Sequence, residues 1–173
     1  MLDTYSARSL APVTPSQYAH LRVWLTTSPR VPAPPYAGAQ PPSPEQAHLL
    51  LSLTCHAGIE PAQLARMRLD ALVASDGTPD EYVHIRAKTT KNRVSRKVAM
   101  HPDIRRDVKA FRSYHVGEDW VAFVRKQCAE PNQQQMSEHG LSQWLVSVFR
   151  NAGFDGLSAR SGPKMFRDTE RRV

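Results

Sequence analysis

A chain of 173 residues is about one domain long, and its balance of 40% hydrophobic to 23% charged residues excludes wholesale disorder. The net charge of +7 is concentrated: residues 81–114 carry ten Lys/Arg against three Asp/Glu, residues 157–173 carry five against two, and the rest is close to neutral or acidic. No apolar run approaches the roughly 18 residues of a membrane span, the start MLDTYSARSLAPV lacks a secretory signal's basic and apolar regions, and Cys55 and Cys128 form no CxxC pair, which together predict a cytoplasmic protein with reduced thiols and no membrane partner.

Thr14-Pro15-Ser16-Gln17 predicts a helix start, with Thr14 as N-cap, Pro15 at the first helical position and Gln17 closing a capping box. Tyr18, Leu21 and Leu25 then form a short apolar stripe. Residues 29–44 hold seven of the fourteen prolines and read as a polyproline-like connector. Ser43-Pro44 repeats the capping logic and opens a helix through Leu50, Leu51 and Leu53 to Cys55, stopped by Gly58. Pro61 starts another through Leu64, Met67 and Leu69 to Leu72, before the turn Ser75-Asp76-Gly77. Tyr82–Ile85 and Val94–Met100 read as two strands joined by the basic hairpin Lys88-Thr89-Thr90-Lys91-Asn92. Residues 102–114 form a helix with Ile104, Val108 and Phe111 on one face. Trp120 to Val124 is a short strand or a buried extended run, residues 138–151 are a helix with Leu141, Trp144, Leu145, Val148 and Phe149 on one side, and a basic tail follows Gly153. The segments divide as an N-terminal helical piece (1–28), the proline connector (29–43) and a main domain (44–173), mainly helical α+β with one small antiparallel hairpin packed on helices.

Clustered Lys/Arg release counterions condensed on a polyanion, so this charge pattern points to nucleic acid, with a solvated basic face as the alternative. Lys88, Lys91, Arg93, Arg96 and Lys97 can track a phosphate backbone or protect a sheet edge. Arg105, Arg106, Lys109 and Arg112 fit a solvated helix face or a DNA contact, and Arg160, Lys164, Arg167, Arg171 and Arg172 fit a phosphate contact or a frayed tail. The seven histidines show no HExxH or other metal spacing, and no GxxxxGK[ST] or GxGxxG loop occurs, so no metal or nucleotide cofactor is expected.

Three strings in one order resemble the catalytic domain of tyrosine recombinases, the phage integrase family. Leu50 to Leu72 (LLSLTCHAGIEPAQLARMRLDAL) is similar to the helix–Gly–helix segment that carries G-L-R-x-x-E-L-x-x-L; Lys88 to Phe111 (KTTKNRVSRKVAMHPDIRRDVKAF) resembles the hairpin and helix K-x-x-x-x-R-x-V-P-L-x-P-x-L; and Leu141 to Phe166 (LSQWLVSVFRNAGFDGLSARSGPKMF) resembles the helix preceding an H-x-x-R segment. The resemblance implies a DNA-phosphodiester chemistry in which two arginines hold the phosphate, a hairpin lysine and a histidine move protons, and a tyrosine attacks phosphorus. Position by position, Glu60 falls on the first arginine, Gln63 on the acidic helper, Arg160 on the histidine and Pro163 on the second arginine; Lys91, with Lys88 as the register alternative, is the one match. Tyr5, Tyr18, Tyr36, Tyr82 and Tyr114 lie away from the nucleophile's place, which in the family is tens of residues beyond H-x-x-R, whereas ten residues follow Pro163.

The resemblance therefore implies a degenerate, C-terminally truncated recombinase-like domain that binds double-stranded DNA through Lys88, Lys91, Arg93, Arg96, Lys97, Arg160, Lys164 and Arg167 without cleaving it, in a regulatory role within a mobile element and associated with the nucleoid. Two other readings are a protein-interaction module, pairing with another recombinase or with itself on the open C-terminal side, and a residual DNA-cleaving enzyme with a different nucleophile.

Overall fold

The helix that opens at Ser43 carries consecutive leucines at 49–51 and another at 53, more than one narrow face can hold, and so leucine-rich a helix belongs inside a protein rather than on its surface. In the computed structural model, which describes residues 11–86, 94–126 and 134–172, it does. Helix α2 (Pro44–Ala57) buries ten of its fourteen residues, Leu49, Leu50, Leu51 and Leu53 among them. Helix α1 (Pro15–Thr27) turns Tyr18, Leu21 and Leu25 inward against it and begins with the expected Thr14–Gln17 capping box and Pro15. After α2 come a single helical turn α3 (Pro61–Leu64), a 3-10 turn (Leu69–Ala71), strands β1 (Tyr82–Ile85) and β2 (Arg96–Ala99), and helix α4 (Pro102–Tyr114). Strands β3 (Phe123–Val124) and β4 (Gln134–Gln135) precede helices α5 (Glu138–Asn151) and α6 (Ser161–Glu170). The architecture is mainly helical α+β. Helix α2 is the hub, packed most extensively against α4 and α6.

Two small antiparallel sheets complete the layers. β1 and β2 pair with Tyr82 opposite Ala99 and Ile85 opposite Arg96, and β3 pairs with β4 with Phe123 opposite Gln135. Val83 and Ile85 face the core while Arg96 and Lys97 stay outside, the alternation of a half-buried strand.

Two expectations from the sequence change. The helix expected from Pro61 to Leu72 breaks after Leu64, because Arg68 is drawn into extended backbone beside Trp120: Leu69 N–H donates to Asp119 O at 2.8 Å and Val121 N–H donates to Met67 O at 3.2 Å. This pairing with the 119–121 segment outweighs the local helical pattern. The basic C-terminal segment is not a tail: residues 161–170 form α6, whose start is tied to the N-terminal segment by Val13 N–H donating to Ser161 O at 3.0 Å.

The proline connector is irregular, as expected, but docked. Trp144 Nε1–H donates to Pro32 O at 2.9 Å, Ser137 N–H donates to the Tyr36 hydroxyl at 2.8 Å, and Gln40 N–H donates to Arg125 O at 2.8 Å. Among the described residues no helix is long and apolar enough to cross a membrane.

Candidate nucleic-acid interface

Helix α6 reaches its place through two glycines. Gly162 lies so close to α2 that a Cβ there would stand 2.7 Å from Thr54 Oγ1 and 2.9 Å from Thr54 Cβ. At the other end of the contact, Gly58 caps α2 with φ +63° and packs under the Phe166 ring, whose Cδ1 a Cβ would strike. A left-handed residue that also lacks room for a side chain is a position for glycine. The two contacts fix both the depth and the rotation of α6.

That rotation decides which cations face outward. Arg160, Lys164, Arg167 and Arg171 recur at helical spacing and share one stripe of α6, while Gly162, Pro163 and Met165 are buried. Arg167 is half-exposed and its Nη1 lies 3.3 Å from Glu60 Oε1. Glu60 itself is the residue before Pro61, with its N–H held by the Gln63 side chain at 3.1 Å. From the sheet side, Arg96 Nη2 donates to Gly58 O at 3.1 Å. Burial lowers the Arg96 guanidinium from its ordinary value, the Glu170 and Glu60 carboxylates oppose that shift, and Arg167 adds to it. Three segments distant in sequence thus meet at the α2–α3 junction: β2 brings Arg96, α6 brings Arg167, and the junction itself supplies Glu60 and the Gly58 carbonyl.

Lys97, one residue along β2, is exposed, with its Nζ 5.8 Å from the centroid of the Tyr82 ring. The neighbouring cleft, about 470 Å³, has a mixed lining: Asp70 and Asp80 face Arg86, Arg96 and Lys97, and Arg86 is paired with Asp70 at 2.8 Å. Lys88, Lys91 and Arg93 lie outside the described residues, as does Cys128.

The cations of α4 are largely committed to the fold. Arg105 donates to the Asp80 and Pro79 carbonyls, Arg106 pairs with Asp103 at 2.9 Å, and the Arg112 guanidinium packs over the Gly77 turn. Arg105 and Arg112 meet the 76–80 turn, of which their periodicity in the sequence gave no sign, whereas Arg106 pairs within its own helix.

One cluster with metal-binding residue types lay beyond sequence reasoning, since its members come from two helices' ends. His56, His101 and Asp103 bring donor atoms within 4.8 Å of one another. Their geometry suits packing rather than coordination. The two imidazoles stack 3.7 Å apart and 4° from parallel, so their in-plane lone pairs cannot converge on one ion. His101 Nδ1 already accepts the Asp103 N–H at 3.1 Å, and Asp103 is held by the Tyr18 hydroxyl at 2.9 Å and by Arg106. Burial, then the adjacent His101, pushes the His56 imidazole down to about 4, so it is neutral at pH 7.

No family model matches the chain, and no curated protein matches it. Its architecture is a tyrosine-recombinase-like fold. The likeness is to a solved structure of a lambda integrase dimer bound to a COC′ core site, with a TM-score of 0.58 at 13% identity, covering 94% of this chain. The chain spans 41% of the length of that integrase.

Proposed function

We propose that this chain binds double-stranded DNA on the face built from β2 and α6, with Arg96, Lys97, Arg160, Lys164 and Arg167 toward the phosphates and Lys88, Lys91 and Arg93 extending the contact along the hairpin. The observation that carries this reading is the convergence of Arg96 and Arg167 at one junction of a recombinase-like fold, flanked by the outward basic stripe of α6. Phosphate contacts of this kind position a duplex without reading its sequence. Binding carried by phosphate contacts on this face is salt-sensitive.

The same reading makes the domain non-cleaving. Glu60, a carboxylate, stands where the resemblance asks for a phosphate-holding arginine, and Pro163, buried and without a donor, stands at the second arginine position. A carboxylate there opposes the charge that a pentacoordinate phosphorus develops. In this reading the protein acts at the nucleoid in a cytoplasm, as a regulatory relative of an integrase within a mobile element.

Fluorescence anisotropy with a labelled duplex between roughly 50 and 300 mM salt tests the proposal. Affinity should fall steeply with salt, with no covalent protein–DNA adduct on denaturing gels. No binding at the lowest salt would remove the DNA reading, and an adduct would remove the non-cleaving one.

A further inference from the structure

We infer that Glu60 is a built-in counter-ion that limits DNA binding by holding Arg167, so that a phosphate reaches this arginine only by displacing the chain's own carboxylate. The inference rests on the DNA-binding reading and adds its regulation. The pair closes across 107 positions of sequence, from the α2–α3 junction to the last turn of α6, with Nη1 and Oε1 3.3 Å apart. Both partners sit at the surface, Arg167 half-exposed and Glu60 about one-third exposed, so the pair adds little to stability and is open to an incoming anion.

The backbone around Glu60 is fixed on both sides. Its N–H is held by Gln63, Pro61 fixes the backbone that follows, and Gly58, two residues earlier, is pinned under Phe166 and by Arg96 on its carbonyl. The same carboxylate lies within electrostatic reach of Arg96. One anion therefore offsets two cations of the face, and it stands in the position that a phosphate oxygen would take beside Arg167. A bound duplex must bring its phosphates up to this carboxylate or push it aside, and either costs affinity.

The experiment uses the whole chain and measures duplex affinity over a salt series for the wild type, Glu60→Gln, Arg167→Gln and the double variant. The glutamine keeps the length and shape of residue 60 and leaves the Gln63 contact intact, and thermal melts establish that each variant folds. Glu60→Gln should tighten binding about fivefold. It should also steepen the slope of log K against log salt by about 0.9, the signature of one additional phosphate contact. Arg167→Gln alone should weaken binding less than Lys97→Ala, because Arg167 is already occupied. In the double variant the gain from Glu60→Gln should shrink to the smaller part exerted through Arg96. If Glu60→Gln leaves affinity and slope unchanged, or if its full gain survives without Arg167, the counter-ion role is wrong while the DNA reading stands. If no variant binds duplex at any salt, the DNA reading falls and takes this inference with it.

Discussion

Arg22 of α1 grips Asp107 of α4 with both terminal guanidinium nitrogens, Nη2 to Oδ1 at 2.8 Å and Nη1 to Oδ2, and the Asp107 side chain is only 4% exposed. The N-terminal helix is thereby tied directly to α4, and both pack against the hub helix α2. A buried ion pair contributes little net stability when whole, but removing one partner strands the other charge away from water. Arg22→Ala should therefore destabilise the fold by about 3–5 kcal/mol. The double replacement Arg22→Met with Asp107→Leu should recover much of the loss. Urea denaturation of the wild type and the two variants checks this, and equal losses in the single and double replacements would refute it.

Gly162 invites an opposite test. Alanine in place of a helical glycine ordinarily stabilises a helix by about 1 kcal/mol. Here the added methyl would meet Thr54, buried on α2, at under 3 Å. Gly162→Ala should instead cost about 1–3 kcal/mol, the price of overpacking. A stabilised Gly162→Ala in the same denaturation assay would mean that α6 does not seat on α2 as closely as described.

Lys97 isolates the sheet's share of the DNA face. It is exposed and makes one loose contact with the Tyr82 ring, so its removal leaves the core untouched. Lys97→Ala should leave the melting temperature within the scatter of surface substitutions, about 0.5 kcal/mol. Its salt slope for duplex binding should become shallower by about 0.9. An unchanged slope would place β2 away from the phosphates.

The histidines set a pH dependence. His56 titrates near 6.5 when unfolded, but burial and the stacked His101 hold it at about 4 in the fold, with Asp103 opposing that shift and Arg22 adding to it. Between those values the unfolded chain takes up a proton that the folded chain refuses, so stability falls as pH falls through the window from about 6.5 to 4. His48 and His115, also lowered chiefly by burial, act in the same direction. Burial raises the Asp103 carboxyl, but the Tyr18 hydrogen bond and the Arg106 and Arg22 charges outweigh it; being held below its ordinary value of 3.8, it loses stability only beneath this window. Melting temperature should drop from pH 7 to pH 5, and His56→Gln should flatten that drop. Parallel curves for the two proteins would show that His56 does not carry it.

How much of this was legible depended on whether the cause was local. The starts of α1 and α2 could be read because Thr14 with Gln17, and Ser43 with Pro44, supply their own caps. Helix α5 could be read because Leu141, Trp144, Leu145, Val148 and Phe149 all face one way. Helix α6 could not: it opens with Ser-Gly-Pro and has no long apolar stripe, and what makes it a helix is its seat against Thr54, a residue more than a hundred positions away. The break after Leu64 was hidden for the same reason, since the Trp120 segment that draws Arg68 out of the helix lies about fifty residues on. In the candidate site, the basic residues and the anomalous Glu60 stood out in the sequence. That Glu60 answers Arg167, and that Arg105 is spent on the fold, follow from tertiary contacts alone.

The burial of α2 has a consequence for how the molecule comes apart. With α1, α4 and α6 all resting on one helix that has almost no surface of its own, no layer can detach without exposing the leucines beneath it. The amides of Leu49 to Leu53 should exchange with deuterium only when the entire chain opens. The basic stripe of α6 then shares the cooperative unit of α1. Loosening the N-terminal helix would erode the DNA face as surely as a change within it.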